Sequence, residues 1–229
     1  MDSEYATRGR IGVGTPQANP TVEAEFRRLV PIDLALVTVR LHSASSNPPD
    51  RLMEYLQRLP VYLATLGGMP LDAFCYACTG SSYLLGHDTE RRLVSAAEQR
   101  YGFPILTATE AIARRLHRLN ARRVVLMAPY PPWLLAAATT FWEARGIQLV
   151  AGREIRIRDA DDLTSIYALN SSDALAAIRE LGAVDADAVL LSGTGMPTLP
   201  IIDEAQTVSG VPVLSSNLAL VDEVLAMLV

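Results

Sequence analysis

A chain of 229 residues, half of them hydrophobic and a fifth charged, carries enough apolar material to bury a core, which excludes intrinsic disorder. Its net charge of −5, with no basic stripe, argues against a nucleic-acid partner. The sequence holds arginine but no lysine, so this chain can carry neither a pyridoxal Schiff base nor a Walker A loop. No apolar run reaches the roughly 18 residues that span a bilayer. Met1–Arg10 carries acid and lacks the apolar stretch of a signal peptide. A cytoplasmic protein with no membrane partner is therefore expected.

Short apolar runs rich in β-formers alternate with longer amphipathic segments, the pattern of βαβ units on a parallel sheet. In chain order the reading is strand Arg10–Gly14, helix Thr21–Leu29, strand Asp33–Thr38, helix Asp50–Leu66, strand Ala73–Tyr76 and helix Thr89–Arg100. Strand Pro104–Leu106, helix Glu110–Leu119, strand Arg123–Met127, helix Pro132–Arg145 and strand Ile147–Ile155 follow. The chain closes with helix Ser172–Leu181, strand Ala188–Leu191, helix Ile201–Ser209, strand Pro212–Ser215 and helix Leu218–Met227, the last capped by Asn217.

Three strings recur in the same order at an offset of about 110 residues. Arg10-Ile-Gly-Val-Gly-Thr-Pro16 returns as Arg123-Val-Val-Leu-Met-Ala-Pro129. Asp72-Ala-Phe-Cys-Tyr-Ala-Cys-Thr-Gly80 returns as Asp187-Ala-Val-Leu-Leu-Ser-Gly-Thr-Gly195, and Gly102-Phe-Pro-Ile-Leu-Thr107 as Gly210-Val-Pro-Val-Leu-Ser215. The repeat predicts two related α/β halves, residues 1–118 and 119–229. Each would be a four-stranded parallel sheet flanked by helices, with the active site in the cleft between them.

Ligands of open parallel sheets bind beyond the carboxyl ends of the strands. The repeated loops Ala77-Cys-Thr-Gly-Ser-Ser82 and Ser192-Gly-Thr-Gly-Met-Pro197 fall there, and their small residues leave backbone N–H groups free to hold a carboxylate or oxyanion. The same Thr-Gly strings are also ordinary turn chemistry. Cys78 heads the first loop, where a nearby helix N-terminus is expected to lower its pKa and make it a nucleophile or proton carrier. Cys75 lies inside a strand and reads as core. No second cysteine pair or histidine cluster completes a zinc site, so no metal is expected. His42, His87 and His117 are scattered, and none falls in a repeated loop; His87 lies near the first loop's helix. Gly12 and Gly14 lack the third glycine of a dinucleotide fingerprint.

On these residues the chain resembles the aspartate/glutamate racemase superfamily, in the branch of maleate cis–trans isomerase and arylmalonate decarboxylase. The markers are Pro16-Gln-Ala-Asn-Pro-Thr-Val-Glu23, Cys78-Thr79, Tyr130, Ser192-Gly-Thr-Gly-Met-Pro-Thr-Leu199 and Val213-Leu-Ser-Ser-Asn217. The resemblance implies two pseudo-symmetric Rossmann-like halves and cofactor-independent chemistry at the α-carbon of a small carboxylate or dicarboxylate. Cys78 is the catalytic thiol it implies, with Asn19, Thr79, Gly80, Tyr130, Gly193, Thr194 and Gly195 binding substrate. Gly193 stands where family racemases and isomerases carry a second cysteine, which argues against two-base racemisation. Maleate isomerisation with Cys78 as nucleophile is the first reading. Decarboxylation of a malonate-type acid with Cys78 as proton donor, and a non-catalytic carboxylate-binding protein, are the alternatives. Arg40, Arg153 and Arg156 are candidate carboxylate clamps, and Asn170 a candidate from the second half. A homo-oligomer is left open.

Overall fold

The computed structural model describes residues 4–155 and 163–228; the candidate clamp Arg156 lies outside them. In chain order the elements are β1 (Gly9–Pro16), α1 (Thr21–Leu29), β2 (Leu34–Leu41), α2 (Pro48–Gln57), α3 (Leu59–Ala64), β3 (Ala73–Tyr76), α4 (Thr79–Leu85), α5 (His87–Tyr101), β4 (Ile105–Thr107) and α6 (Ala108–Arg118). Then come β5 (Arg123–Ala128), α7 (Pro132–Ala144), β6 (Gln148–Glu154), a 3-10 turn (Leu163–Ala168), α8 (Ser171–Leu181), β7 (Ala188–Leu191), α9 (Ile202–Ser209), β8 (Val213–Ser215) and α10 (Ser216–Met227).

The strands form two parallel sheets of four with the same topology, β2-β1-β3-β4 and β6-β5-β7-β8. The fold class read from the sequence is thus the one observed. The repeated aspartates explain part of the likeness. Asp72 Oδ2 accepts from the Arg10 backbone N–H at 2.7 Å, and Asp187 Oδ2 accepts from those of Arg122 and Arg123 at 2.8 Å. Each aspartate ties the start of its own strand to that of the neighbouring central strand.

Burial falls into three apolar clusters. One lies on the outer face of the first sheet (Leu41, Phe74, Tyr76, Leu56), and one on the outer face of the second (Val125, Met127, Leu191, Ile178). The third draws on both sheets, packing Ile11, Val13 and Leu106 with Leu126, Leu190, Trp142 and Leu220. α10 lies against α1 and α6, and α4 against α7, so the shared layer is built by helices from both halves. Fully burying one such leucine or isoleucine contributes about 1.5–3 kcal/mol.

Three local readings need correction. The single helix expected over Asp50–Leu66 is two, α2 and α3, because Pro60 has no N–H to continue the ladder. A seven-residue helix, α4, starts directly after Cys78, where the sequence reading placed only a loop. Asn217 is not a cap: Ser215 takes that position, and Asn217 is buried inside α10 with its amide turned on the second loop.

Candidate active site

The direction of chain progression reverses between β1 and β3 in one sheet and between β5 and β7 in the other. A crevice at the carboxyl ends of strands is expected at such a switch point. Asn19 follows β1, Cys78 follows β3, Tyr130 follows β5, and Gly193-Thr194-Gly195 follows β7. All four segments line one cavity of about 70 Å³, together with Pro16, Thr79, Gly80, Pro129 and the apolar side chains of Leu52, Leu134 and Ile166. Tyr167 completes the wall. The structure therefore gathers Asn19, Cys78, Thr79, Gly80, Tyr130, Gly193, Thr194 and Gly195 around one space.

Cys78 sits at the entry to α4 in an extended conformation and is only 4% exposed. Ser81 Oγ lies 3.2 Å from its sulfur. Burial pushes the thiol above its ordinary pKa, and hydrogen bonds from the Ser81 hydroxyl and the Ser81 and Gly80 backbone N–H groups offset this only in part. The lowered pKa expected from a helix N-terminus is thus contradicted. α4 is too short to supply a strong dipole, and desolvation of a charged sulfur outweighs the donors. Cys75 is fully buried in β3, and burial alone drives its thiol further up.

Neutral O–H groups surround the sulfur. Burial first, then the charges of Tyr83 and Cys78, hold the Tyr130 phenol well above its usual range, so Tyr130 is a proton-bearing donor. Its Oη lies 2.7 Å from Thr79 Oγ1 and 2.9 Å from Ser192 Oγ. Tyr55 and Tyr167 are likewise raised by burial, with charge on Cys78 adding to it. Tyr167, Tyr55, Leu52 and Ile166 carry no motif, so the sequence reading missed them. Leu52, Ile166 and Tyr167 reach the cavity from α2 and the 3-10 turn through tertiary packing. The clearest local trace is Gly195: a Cβ there would lie 2.7 Å from the Tyr167 ring.

Asn19 is buried and largely committed. Its Oδ1 accepts from the N–H groups of Thr21 at 2.9 Å and Val22 at 3.3 Å, and its Nδ2 donates to Thr194 Oγ1 at 3.3 Å. Thr194 in turn donates to the Ala77 carbonyl at 2.9 Å. One Asn19 Nδ2 proton is left for a ligand. The second loop is pinned from the first half by α1: Thr21 Oγ1 donates to Gly195 O at 2.8 Å, and Glu25 Oε1 accepts from the Thr198 and Leu199 N–H groups at 2.7 and 3.1 Å. Asn217 donates to Glu25 Oε2 at 2.7 Å and to Thr194 O at 3.0 Å.

Gly193 has φ +125°, a region that L side chains rarely adopt, although a Cβ would meet only ordinary contacts at 3.5–3.6 Å. Space would admit a side chain here, but the backbone disfavours one.

The other candidates lie elsewhere. Arg40 donates to the Asn19 carbonyl at 2.7 Å and pairs with Glu23, so it braces the first loop. Arg153 is exposed on β6 and does not line the cavity. Asn170 caps α8, its backbone N–H donating to Asp173 Oδ2 at 2.8 Å. His87 Nδ1 lies 2.6 Å from Arg145, away from the cavity, and His42 and His117 are exposed. Among the described residues no helix is long and apolar enough to cross a membrane.

A family model described as arylmalonate decarboxylase matches residues 11–228. The chain belongs to this family. Its relatives bear out the resemblance read from the motifs. A maleate isomerase of Nocardia farcinica (strain IFM 10152) is 26% identical over 220 residues, which covers 92% of this chain and 86% of that protein. An arylmalonate decarboxylase of Bordetella bronchiseptica is also 26% identical, over 93% of this chain and 88% of its own. Among solved structures, a cysteine-to-serine mutant of the N. farcinica maleate cis–trans isomerase, with a covalently bound succinylcysteine intermediate, superposes with a TM-score of 0.85 at 24% identity. The match covers 96% of this chain and 92% of that one. The family thus spans isomerase and decarboxylase chemistry, and its members here share the duplicated α/β fold.

Proposed function

We propose that this family member is a cofactor-independent isomerase of a small cis-enedioate such as maleate, with Cys78 as its nucleophile. The observation that carries the reading is a single thiol facing a cavity of about 70 Å³ ringed by neutral donors. That space lies far below the 300–1,000 Å³ of pockets for drug-sized ligands, which favours a small acid over a larger ligand.

In the reactive form Cys78 has passed its proton to solvent water, and the thiolate attacks one alkene carbon. The C–S bond forms as the π pair moves into the adjacent carboxylate, giving an enediolate. Thr79, itself held by the Tyr130 hydroxyl, donates to the new oxyanion, and Asn19 Nδ2 and the Gly80 N–H hold carboxylate oxygens. Such a donor is worth about 3–4 kcal/mol in the transition state. The bond between the two central carbons is now single and rotates. The pair then returns, the C–S bond breaks, and the trans diacid leaves with the thiolate restored. No second proton carrier is required, which is compatible with glycine at position 193.

A second reading draws on the apolar wall of Leu52, Leu134, Pro129 and Ile166, which would suit the substituent of an arylmalonate. In it, one carboxylate departs as carbon dioxide, the same donors hold the enediolate, and Cys78 delivers a proton to one face. Proton NMR of wild-type protein with maleate and, separately, with phenylmalonate distinguishes the two. Fumarate from maleate supports isomerisation, and phenylacetate alone shifts the assignment to decarboxylation. Neither product leaves the carboxylate-binding alternative.

A further inference from the structure

Behind the cavity runs an unbroken line of buried hydrogen bonds that crosses between the halves. Trp142 Nε1 donates to Tyr83 Oη at 3.2 Å; Tyr83 Oη lies 2.8 Å from Ser192 Oγ; Ser192 Oγ lies 2.9 Å from Tyr130 Oη; Tyr130 Oη lies 2.7 Å from Thr79 Oγ1. None of the five side chains' residues is more than 5% exposed. An indole N–H can only donate, while each hydroxyl has one proton to give.

Those two facts set a direction. Tyr83 accepts from Trp142, and its own proton then has one acceptor among the described residues, Ser192. Ser192 accepts from Tyr83 and gives its proton to Tyr130; Tyr130 gives its own to Thr79. Among the bonds of the described residues this is the only assignment in which every hydroxyl proton of the line up to Thr79 is received. The Thr79 proton is left over, and Thr79 lines the cavity. Reversal would aim the Tyr83 proton at an indole N–H that cannot accept it, inside a buried aromatic cluster where Tyr83 packs edge-on against Phe141 and Trp142. An unmet buried donor there is costly.

We propose that Trp142 and Tyr83 are positioning residues, whose one-way hydroxyl chain through Ser192 and Tyr130 fixes Thr79 as a hydrogen-bond donor toward the oxyanion of the substrate. The inference rests on the function proposed above for its chemical purpose, but not for its geometry. Donors already oriented before the reaction need no reorganisation when charge develops. Bonds aligned head to tail also polarise one another, so the indole acts on the cavity from four links away.

The experiment joins a spectroscopic readout to kinetics. Protein carrying ¹³Cζ-tyrosine is compared as wild type, Trp142→Phe and Tyr83→Phe, with the Tyr130 signal assigned by its loss in Tyr130→Phe. Both conservative variants keep an aromatic ring in the cluster. The Tyr130 resonance is expected to move in each, and in Trp142→Phe this happens although the deleted N–H is bonded to Tyr130 only through Tyr83 and Ser192. Turnover of maleate should fall roughly 5- to 10-fold in each variant with KM little changed. The double variant should fall no further than the weaker single one, because both break the same chain. An unmoved Tyr130 resonance, or losses that multiply in the double variant, would overturn the proposal. If the wild type converts neither diacid, the functional reading is what has failed, and the resonance alone decides whether the chain is directional.

Discussion

The loop after β3 and the loop after β7 occupy equivalent places in two sheets of identical topology, yet they do different things. The first holds Cys78 in extended backbone, turns directly into α4 and leaves its sulfur facing the cavity. The second holds Gly193 at φ +125° and runs on to α9 only at Ile202, clamped on the way by Thr21, Glu25 and Asn217. Duplication has kept the frame, down to the paired aspartates at the strand starts, while the chemistry has become one-sided. On the proposed function one loop reacts, and the other is a wall that carries hydrogen bonds. Symmetric two-base proton transfer does not suit such a pair, whereas a single nucleophile does.

This comparison can be broken in graded steps. Tyr130→Phe removes the hydroxyl that orients the Thr79 donor on the reacting side, and kcat is expected to fall by about 10²-fold, as if that oxyanion donor were lost; steady-state kinetics on the converted diacid would read it. Glu25→Ala attacks the wall instead. It strands the buried Thr198 N–H, the half-buried Leu199 N–H and one Asn217 amide proton, and should lower unfolding free energy by about 3 kcal/mol in denaturant titrations. Gly193→Cys would restore two-fold symmetry in composition but not in backbone. A non-glycine residue at that φ is expected to cost about 1–3 kcal/mol, seen as a lower Tm, without creating racemase activity. The smallest expected effect is that of Ser81→Ala. Removing a hydrogen bond that lowers the Cys78 pKa should raise the thiol further, so the ionised fraction at neutral pH falls. Turnover there should drop roughly 3- to 10-fold and recover as pH is raised.

Much of this was legible in the chain. The three repeated strings announced two sheets because strand, loop and following strand recur with the same spacing; that pattern put the loops after β3 and β7 at the strand ends, whereas Asn19 and Tyr130 came from the family resemblance. What stayed hidden has physical causes. Leu52, Ile166 and Tyr167 arrive at the site from an α2 face and a 3-10 turn, elements whose placement depends on packing between distant segments. Glu25 looks like any acidic residue on an amphipathic helix until the second loop is docked on it. The Cys78 pKa went the wrong way because its position suggested a helix dipole, whereas desolvation depends on how tightly the two halves close. Asn217 was read as a cap since its side chain suits one, and tertiary structure gave the amide other work.

The account stands on one sulfur, and the most direct test is the rate of fumarate formation from maleate by wild-type protein and by Cys78→Ala, followed by proton NMR on correctly folded samples. Loss of activity by about 10³-fold or more in the variant, with Cys75 still present, is the predicted result. A variant that still forms fumarate at a rate near that of the wild type would contradict it, and would move the chemistry away from the first loop.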